Sequence, residues 1–434
     1  MISKIKQSFK TINYKLYFAL LVLGFVPTFY TTVRVFFLGS LPGEYSFSIA
    51  GQLSWLNLLY EVINEAIILP LFYFIGKVVN DKKEFTNRIK TGLLVSVIIY
   101  FILSTFIIFY VKPLLSLMAT DANIIEASAT YIRIESIANI FLILAQFTLI
   151  TLVALNKSKY LYILTFTKLV FSLVFDAFLV SSLPLSFNLG VNGIGYSNII
   201  VNIILLVISL ALLAKEKINI FDRSRLNFTW IKEFFKIGSI SGLESFIRNI
   251  AYIVMISRMI NVVNEQGTYW VANNFIWGWL LLPVLQLGEL IKQETATDKN
   301  NIRQNTIGYF GITAIICILW FISIPFWKPF MKYILQFTDV DKLFNLVLTL
   351  VCFYVFYAFQ NIFDSIFYGL GKINYMLFES VVTNTIYYGI AFILYSTGIW
   401  HPSLIGIVLL FGIGNVFDSI VSFCAFAFLL KKIK

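Results

Sequence analysis

"KEKINIFDRSRLNFTWIKEFFK", residues 215–236, is the longest polar stretch of the chain, and it falls at the middle. On both sides of it apolar runs recur, each of roughly 20 residues and so long enough to cross ~30 Å of hydrocarbon. A polar break that halves such a chain suggests two bundles of spans.

Composition sets the class. The 434 residues are 59% hydrophobic, 17% aromatic and 13% charged, against about 25% charged in an ordinary soluble domain. The alternating segments of ~10 residues that a membrane barrel needs are absent. The chain is therefore expected to be an all-α polytopic membrane protein. Twelve spans are expected, at 16–38, 46–76, 91–118, 130–155, 160–183, 191–214, 231–261, 268–291, 305–327, 343–370, 373–397 and 403–430. The basic start, "MISKIKQSFKTINYK" (1–15), leads into an apolar run too long for a signal peptide, with no small-residue cleavage site after it. It reads as a cytoplasmic segment. Cys317, Cys352 and Cys424 lie in apolar runs at no metal-ligand spacing, and the single histidine, His401, falls in a loop. A disulfide framework, a zinc site and histidine-based catalysis are thus not expected.

The basic residues orient the spans. With the N-terminus inside, 24 of the 33 Lys and Arg fall on the cytoplasmic side and 6 outside. That bias places both termini in the cytoplasm and the chain in the cytoplasmic (inner) membrane. It also accounts for the net charge of +11, which faces anionic lipid and needs no nucleic-acid partner. The other three, Arg34, Lys168 and Arg248, lie inside spans.

The halves align. "ALNKSKY" (154–160) meets "GLGKINY" (369–375) at Leu, Lys and Tyr, an offset of 215. "GFVPTFYTTVR" (24–34) meets "GSISGLESFIR" (238–248) at an offset of 214, pairing Gly24 with Gly238 and Arg34 with Arg248. Ala50 and Trp55 meet Ala272 and Trp277 at an offset of 222, with "INVVNEQGTY" (260–269) supplying a longer outer loop. The expected domains are an N-terminal lobe, 1–215, a cytoplasmic linker, 216–236, and a C-terminal lobe, 237–434. Six spans per half is an even number, so the lobes run parallel about an axis along the membrane normal, a frame suited to alternating access.

Several stretches resemble one family, the multidrug and toxic-compound extrusion (MATE) transporters. "LGVNGIGYSNIIVNIILL" (189–206) is similar to the start of that family's sixth helix, and "VKPLLSLMATDANIIEASATYIRI" (111–134) to its link between the third and fourth. "KLVFSLVFDAFLV" (168–180) resembles its fifth helix, "FKIGSISGLES" (235–245) the opening of its seventh, and "GTYWVANNFIWGWLLLPVLQLGEL" (267–290) its eighth. The resemblance implies a twelve-helix exporter driven by H⁺ or Na⁺. It also implies that the family's helix 5 aspartate is Asp176. The family's helix 1 aspartate has no counterpart, because "TTVRVFFLG" (31–39) puts Arg34 there. Lys168 and Ser172 replace the asparagines usual in helix 5, which sets this chain apart from the family's cation site.

Charges inside spans are costly and are functional candidates by default. Arg34 and Asp176 each lie about two-thirds of the way along their own helices, so they can share a depth. They form either a switchable pair, opened by a proton or an anion, or a static bridge; alternatively Arg34 snorkels outward. Arg248 follows Glu244 by four residues, so the two can pair on one helix face or line a cavity. Lys168, eight residues before Asp176, either lines the site or snorkels inward. Glu61 and Glu65 make one face of the second span acidic and need a partner from another helix, with Arg34 or Lys168 the candidates. Asp364 and Asp418 are isolated acids of the kind a proton carrier uses. Glu289 and Glu379, near cytoplasmic ends, read as gate or interface residues. Asn273, Asn274 and Trp277 can hold a flat organic ligand by amide and ring face, or belong to an interfacial aromatic belt.

The expected protein is a monomeric, cation-gradient-coupled exporter of organic small molecules. Its partners would be substrate, coupling ion and membrane lipid, with no metal or cofactor. The paired arginines suggest some anionic character in the substrate. A flippase of lipid-linked saccharides is the alternative, with the arginines binding a diphosphate. An enzyme is not expected, for lack of a metal cluster, a G-x-S-x-G motif or a catalytic dyad.

Overall fold

The computed structural model describes residues 2–41, 45–155, 157, 159–218, 220 and 225–432. Of the expected linker 216–236, residues 219 and 221–224 lie outside the described residues, as do Asn156 and Ser158 of the "ALNKSKY" repeat. The described chain is helical throughout, because hydrocarbon leaves backbone polar groups no partner but each other. In order the helices are α1 (Ile2–Thr11), α2 (Tyr14–Gly39), α3 (Ser46–Gly51), α4 (Leu53–Gly76), α5 (Lys82–Leu117), α6 (Ile125–Ala154), α7 (Lys159–Leu179), α8 (Val191–Lys215) and α9 (Ile231–Tyr252). They continue with α10 (Arg258–Val262), α11 (Gln266–Phe275), α12 (Leu282–Thr297), α13 (Asn301–Tyr333), α14 (Val340–Gly369), α15 (Ile373–Val382), α16 (Gly389–Ser396) and α17 (Leu404–Lys432). Three π turns, Ile253–Ser257, Ile276–Leu280 and Thr383–Tyr388, join α9 to α10, precede α12, and join α15 to α16.

Local chemistry sets several helix ends. Asp81 caps α5, its Oδ1 accepting from the backbone N–H of Lys83 and Glu84, each at 3.1 Å. Asp339 caps α14 by accepting from the Lys342 N–H at 3.1 Å. Such caps satisfy donors that have no partner within the helix.

Among the described residues ten helices are long and apolar enough to cross a membrane, or up to eleven if one bent pair is a single span. That pair is Gln266–Leu280 with Leu282–Thr297, bent by 53°. Pro283 sits just past the bend, lacking an N–H and crowding the carbonyl four residues back. Where the sequence placed its seventh span, α9, a π turn and α10 run from Ile231 to Val262. Glu244, Arg248 and Asn249 lie in α9, which is not among those helices, so the expected twelve spans are ten or eleven by length and apolarity among the described residues.

By contact the chain divides into two compact units. One is contiguous, Val33–Asn249; the other joins Met1–Thr32 to Ile250–Lys434. In the contiguous unit α6 packs on both α5 and α8, and α7 packs on α8. In the other unit α14 packs on both α13 and α17, and α15 packs on α17. There too α1 lies on α13, with the Phe9 and Ile12 side chains so close to Gly311 and Gly308 that a Cβ at either glycine would have to push them aside. The corner between α1 and α2 is fastened by Glu294, whose Oε1 accepts from the Asn13 N–H at 2.8 Å.

Candidate functional site

The Val33–Asn249 unit holds the first cluster. Arg34 of α2 meets Asp176 of α7 side-on, Nε donating to Oδ2 at 2.8 Å and Nη2 to Oδ1 at 3.1 Å. Side-chain exposure is 12% for Arg34 and 1% for Asp176. A two-pronged, charge-assisted pair of this kind is both strong and orientationally specific. Arg34 Nη2 also donates to Asn198 Oδ1 of α8 at 3.0 Å, and Asn198 Nδ2 donates to Glu135 Oε1 of α6 at 2.7 Å. Tyr131, one turn before Glu135, hydrogen-bonds the same carboxyl. The result is a chain of polar groups, Asp176–Arg34–Asn198–Glu135, that ties together four helices. It puts one guanidinium between two carboxyl groups, so a proton gained or lost by either acid changes what the arginine must balance.

The second cluster lies in the same unit. Arg248 of α9 reaches Glu65 at 3.0 Å, Glu244 at 3.3 Å and Glu61 at 3.4 Å. One guanidinium thus faces three carboxyl groups. The expectation that Glu61 and Glu65 would meet Arg34 or Lys168 is corrected here: their partner is Arg248. The cause lies earlier in α9, where Gly238 and Gly242 seat that helix directly on Ala66 of α4. That contact brings Arg248 level with Glu61 and Glu65. Glu65 Oε2 and the neighbouring Asn64 Oδ1 are buried without a hydrogen-bond partner among the described residues. Lys168 is half-buried on α7, two turns before Asp176.

The remaining candidates lie in the other unit. Asp418 of α17 accepts from Gln360 Nε2 and from Thr383 Oγ1, each at 2.6 Å. Asp364 of α14 accepts from Ser422 Oγ at 2.9 Å. Glu379 of α15, read from sequence as a gate or interface residue, is 4% exposed and hydrogen-bonds Asp364. It belongs with the two aspartates, because α15 packs on both α14 and α17. Glu289 pairs locally with Lys292 at 2.6 Å. Asn274 Nδ2 donates to the Trp270 carbonyl of its own helix at 2.9 Å, and Trp277 Nε1 donates to the Tyr354 hydroxyl at 3.1 Å. Asn273 hydrogen-bonds Tyr252 and Tyr269. Among the described residues no group of three or more His, Cys, Asp or Glu is arranged to hold a metal ion.

Sequence reasoning passed over Glu135 and Asn198. The signal for Glu135 was present, since "YIRIESIAN" (131–139) carries an acid within an apolar run, the same feature that singled out Asp364 and Asp418. Asn198 is uncharged, and only the meeting of α2, α6 and α8 reveals its bridging place.

Residues 25–178 match the MatE family model. No curated protein sequence matches the chain. Among solved structures, an inward-facing multidrug-resistance MATE transporter of the MOP superfamily superposes with a TM-score of 0.78 at 16% identity, covering 96% of this chain and 98% of that one. An outward-facing MATE transporter gives 0.62 at 17% identity, covering 96% and 95%. A MOP-superfamily transporter from Pyrococcus furiosus, described as having a binding pocket of reverse polarity, gives 0.70 at 16% identity, covering 98% and 97%. At these identities the likeness shows a shared fold.

Proposed function

We infer that this chain, a member of the MATE family through residues 25–178 and MATE-like in fold along its length, is a secondary active transporter that moves small molecules by alternating access. It is a multi-pass membrane protein and not an enzyme. The fold is known in both inward-facing and outward-facing forms, as such a cycle needs. The observation that carries the reading to particular residues is the buried Arg34–Asp176 pair with its extension through Asn198 to Glu135. The work of the cycle is export of organic molecules driven by H⁺ or Na⁺, with the protein acting as a monomer. A proton or cation arriving at Asp176 or Glu135 competes with Arg34 for carboxylate and so biases the helices that carry them.

The working unit is twelve spans in two six-span lobes, 1–215 and 237–434, with both termini cytoplasmic in the inner membrane. Packing supports the repeat. In each half the fourth span lies on the third and the sixth, α6 on α5 and α8 in one, α14 on α13 and α17 in the other. A flippase of anionic, lipid-linked saccharides is the second reading. It is favoured by Arg34 standing where the family resemblance expects an acid, and by the reversed pocket polarity described for the Pyrococcus furiosus protein. The three carboxyl groups around Arg248 count against it.

The test is uptake into liposomes of one cationic and one anionic dye, under H⁺ and Na⁺ gradients applied separately. Export of organic molecules requires gradient-driven flux of at least one dye, lost in Asp176→Asn. Anion flux abolished only in Arg34→Ala/Arg248→Ala would favour the second reading. No flux of either dye under either gradient would sink the exporter.

A further inference from the structure

α1 is a helix of its own and not the start of α2. Asn13 separates the two, its Oδ1 accepting from the Leu16 N–H at 3.0 Å as a helix cap does. A helix of ten residues is too short to hold alone in water, so α1 depends on what it touches. In sequence Ile2, Ile5, Phe9 and Ile12 recur at intervals of three and four, and Lys4, Lys6 and Lys10 lie between these positions. Such a helix ordinarily lays its apolar stripe into the bilayer interface. Here α13 takes the later part of the stripe instead. Ser8 is 1% exposed and Ile12 4%, both against Gly308, and Phe9 lies against Gly311. The Ser8 Oγ accepts from the Gly308 N–H at 2.8 Å, and the Thr11 hydroxyl donates to Asn305 Oδ1.

That docking sets the height of α1. At the same place α13 turns from polar to apolar, "NIRQNT" (301–306) giving way to "IGYFGITAIICILW" (307–320). Ser8 is fastened to the first turn of the apolar run, so α1 lies where hydrocarbon meets headgroups. Phe18 of α2 and Ile307 of α13, both exposed, mark the apolar side of that boundary. Lys10 and Lys15 are exposed too, and neither has an ion-pair partner among the described residues. The chain offers them little counter-charge. No Asp or Glu occurs before Glu44. Glu294, the acid at the corner, has both oxygens engaged, Oε1 by the Asn13 N–H and Oε2 by Asn305 Nδ2 and the Tyr309 hydroxyl. Asp298 accepts from the Asn300 N–H in its own turn at 2.9 Å. Lys6 and Lys10 are also four residues apart on one helix, a spacing at which like charges weaken it. Lysines held at headgroup level without acids of their own call for a counter-charge from outside the protein.

We propose that the lysine-bearing side of α1, with Lys15 at the start of α2, is a binding surface for the headgroups of anionic phospholipids. Headgroup phosphates supply the counter-charge, and the acyl chains lie along the exposed apolar side chains of α2 and α13. Neutralised in this way, α1 docks more firmly on α13. The packing of the α1–α2 corner is thereby tied to the lipid composition of the leaflet that α1 meets. This surface lies apart from Arg34 and Arg248 and does not depend on the transport reading.

The experiment is hydrogen exchange of the α1 amides in the full protein, held in nanodiscs of phosphatidylcholine alone or of phosphatidylcholine with phosphatidylglycerol. Phosphatidylglycerol is expected to slow exchange in α1 and to leave α14 unchanged, by about fivefold for each lysine engaged. Lys10→Gln/Lys15→Gln should lose most of that slowing, and Lys10→Arg/Lys15→Arg should keep it. Added sodium chloride should weaken the slowing in wild type, because exposed charges are screened. Inorganic phosphate added to the phosphatidylcholine discs should have no effect. Equal α1 exchange in the two lipids, undiminished slowing in Lys10→Gln/Lys15→Gln, or slowing by phosphate alone overturns the proposal. If the glutamine variant loses α1 in both lipids, wild type in high salt decides, and slowing that persists there overturns it. Dye flux in liposomes bears only on the transport reading.

Discussion

Arg34 and Asp176 stand 142 residues apart in sequence and meet edge to edge, with two parallel hydrogen bonds of 2.8 and 3.1 Å. The pair fastens α2 to α7 where Asp176 is 1% exposed. Burying two charges is costly, and their mutual attraction roughly offsets that cost only while both are present.

Removing one partner should therefore be far worse than removing both. Asp176→Ala leaves a guanidinium short of its main acceptor and should destabilise the protein by about 3–5 kcal/mol. The double variant Arg34→Met/Asp176→Leu should recover most of that loss while abolishing gradient-driven flux. Thermal unfolding in detergent checks the first part and liposome uptake the second. A double variant no more stable than Asp176→Ala would mean that the pair is not energetically coupled.

The three acids around Arg248 should not be equivalent. Glu244 is 3% exposed and Glu61 is 39% exposed, although both lie within 3.4 Å of the same guanidinium. Glu61→Gln should change stability by less than about 1 kcal/mol, since a half-exposed pair is weakened by its surroundings. Glu244→Gln should cost about 2 kcal/mol or more, because the buried end of the arginine's environment loses its counter-charge. Equal melting temperatures for the two variants would contradict this ranking.

Two glycines should respond in opposite directions to alanine. A Cβ on Gly238 would collide with the Ala66 carbonyl, so the α9–α4 contact would have to open. Gly238→Ala should cost about 1–3 kcal/mol, as overpacking does. Gly76, the last residue of α4, has nothing within 4 Å of where its Cβ would be. There the change should stabilise by about 0.5–1 kcal/mol, by removing unfolded-chain freedom. Melting temperatures of the two variants relative to wild type give the answer directly.

Just beyond the end of α8, Glu216 accepts from the Tyr160 hydroxyl at 2.7 Å and pairs with Lys157 at 3.1 Å. The tyrosine hydrogen bond, followed by the lysine contact, holds its carboxyl below the usual glutamate range. A folded-state value below the unfolded one gives stability that is present above the ordinary carboxylate range and lost as pH falls through the lower value. Hydrogen exchange at the α7–α8 end should quicken as pH drops through that range, once corrected for its intrinsic pH dependence. In Glu216→Gln the corrected rates should be flat, and an unchanged pH response there would dismiss the carboxyl as the cause.

The helical class and the membrane setting were legible because hydropathy acts over each run alone and needs no partner. The span count was less so. Pro283 breaks what reads as one apolar run, and α9, where a seventh span is expected from the sequence, carries polar residues and is not among the helices long and apolar enough to cross. The Arg34–Asp176 meeting was legible from depth, because rise per residue is fixed once the helices are known. The partner of Glu61 and Glu65 was not, since it depends on how α9 slides on α4 over Gly238 and Gly242, a matter of side-chain volume across helices. Asn198 was illegible for the same reason: it carries no charge, and it matters only through what α2 and α6 bring to it.

The way the chain divides has a consequence for its synthesis. Val33–Asn249 is contiguous and can pack as soon as its last residue emerges, whereas residues 1–32 belong with Ile250–Lys434. At about 5–20 residues per second, the start of the chain therefore waits roughly 10–40 s before the first of its later partners is even translated. Glu294, which fastens the corner at Asn13, is made later still. α1 and the first part of α2 are thus made well before the helices they pack on, whereas Arg34, further along α2, meets Asp176 within the contiguous unit.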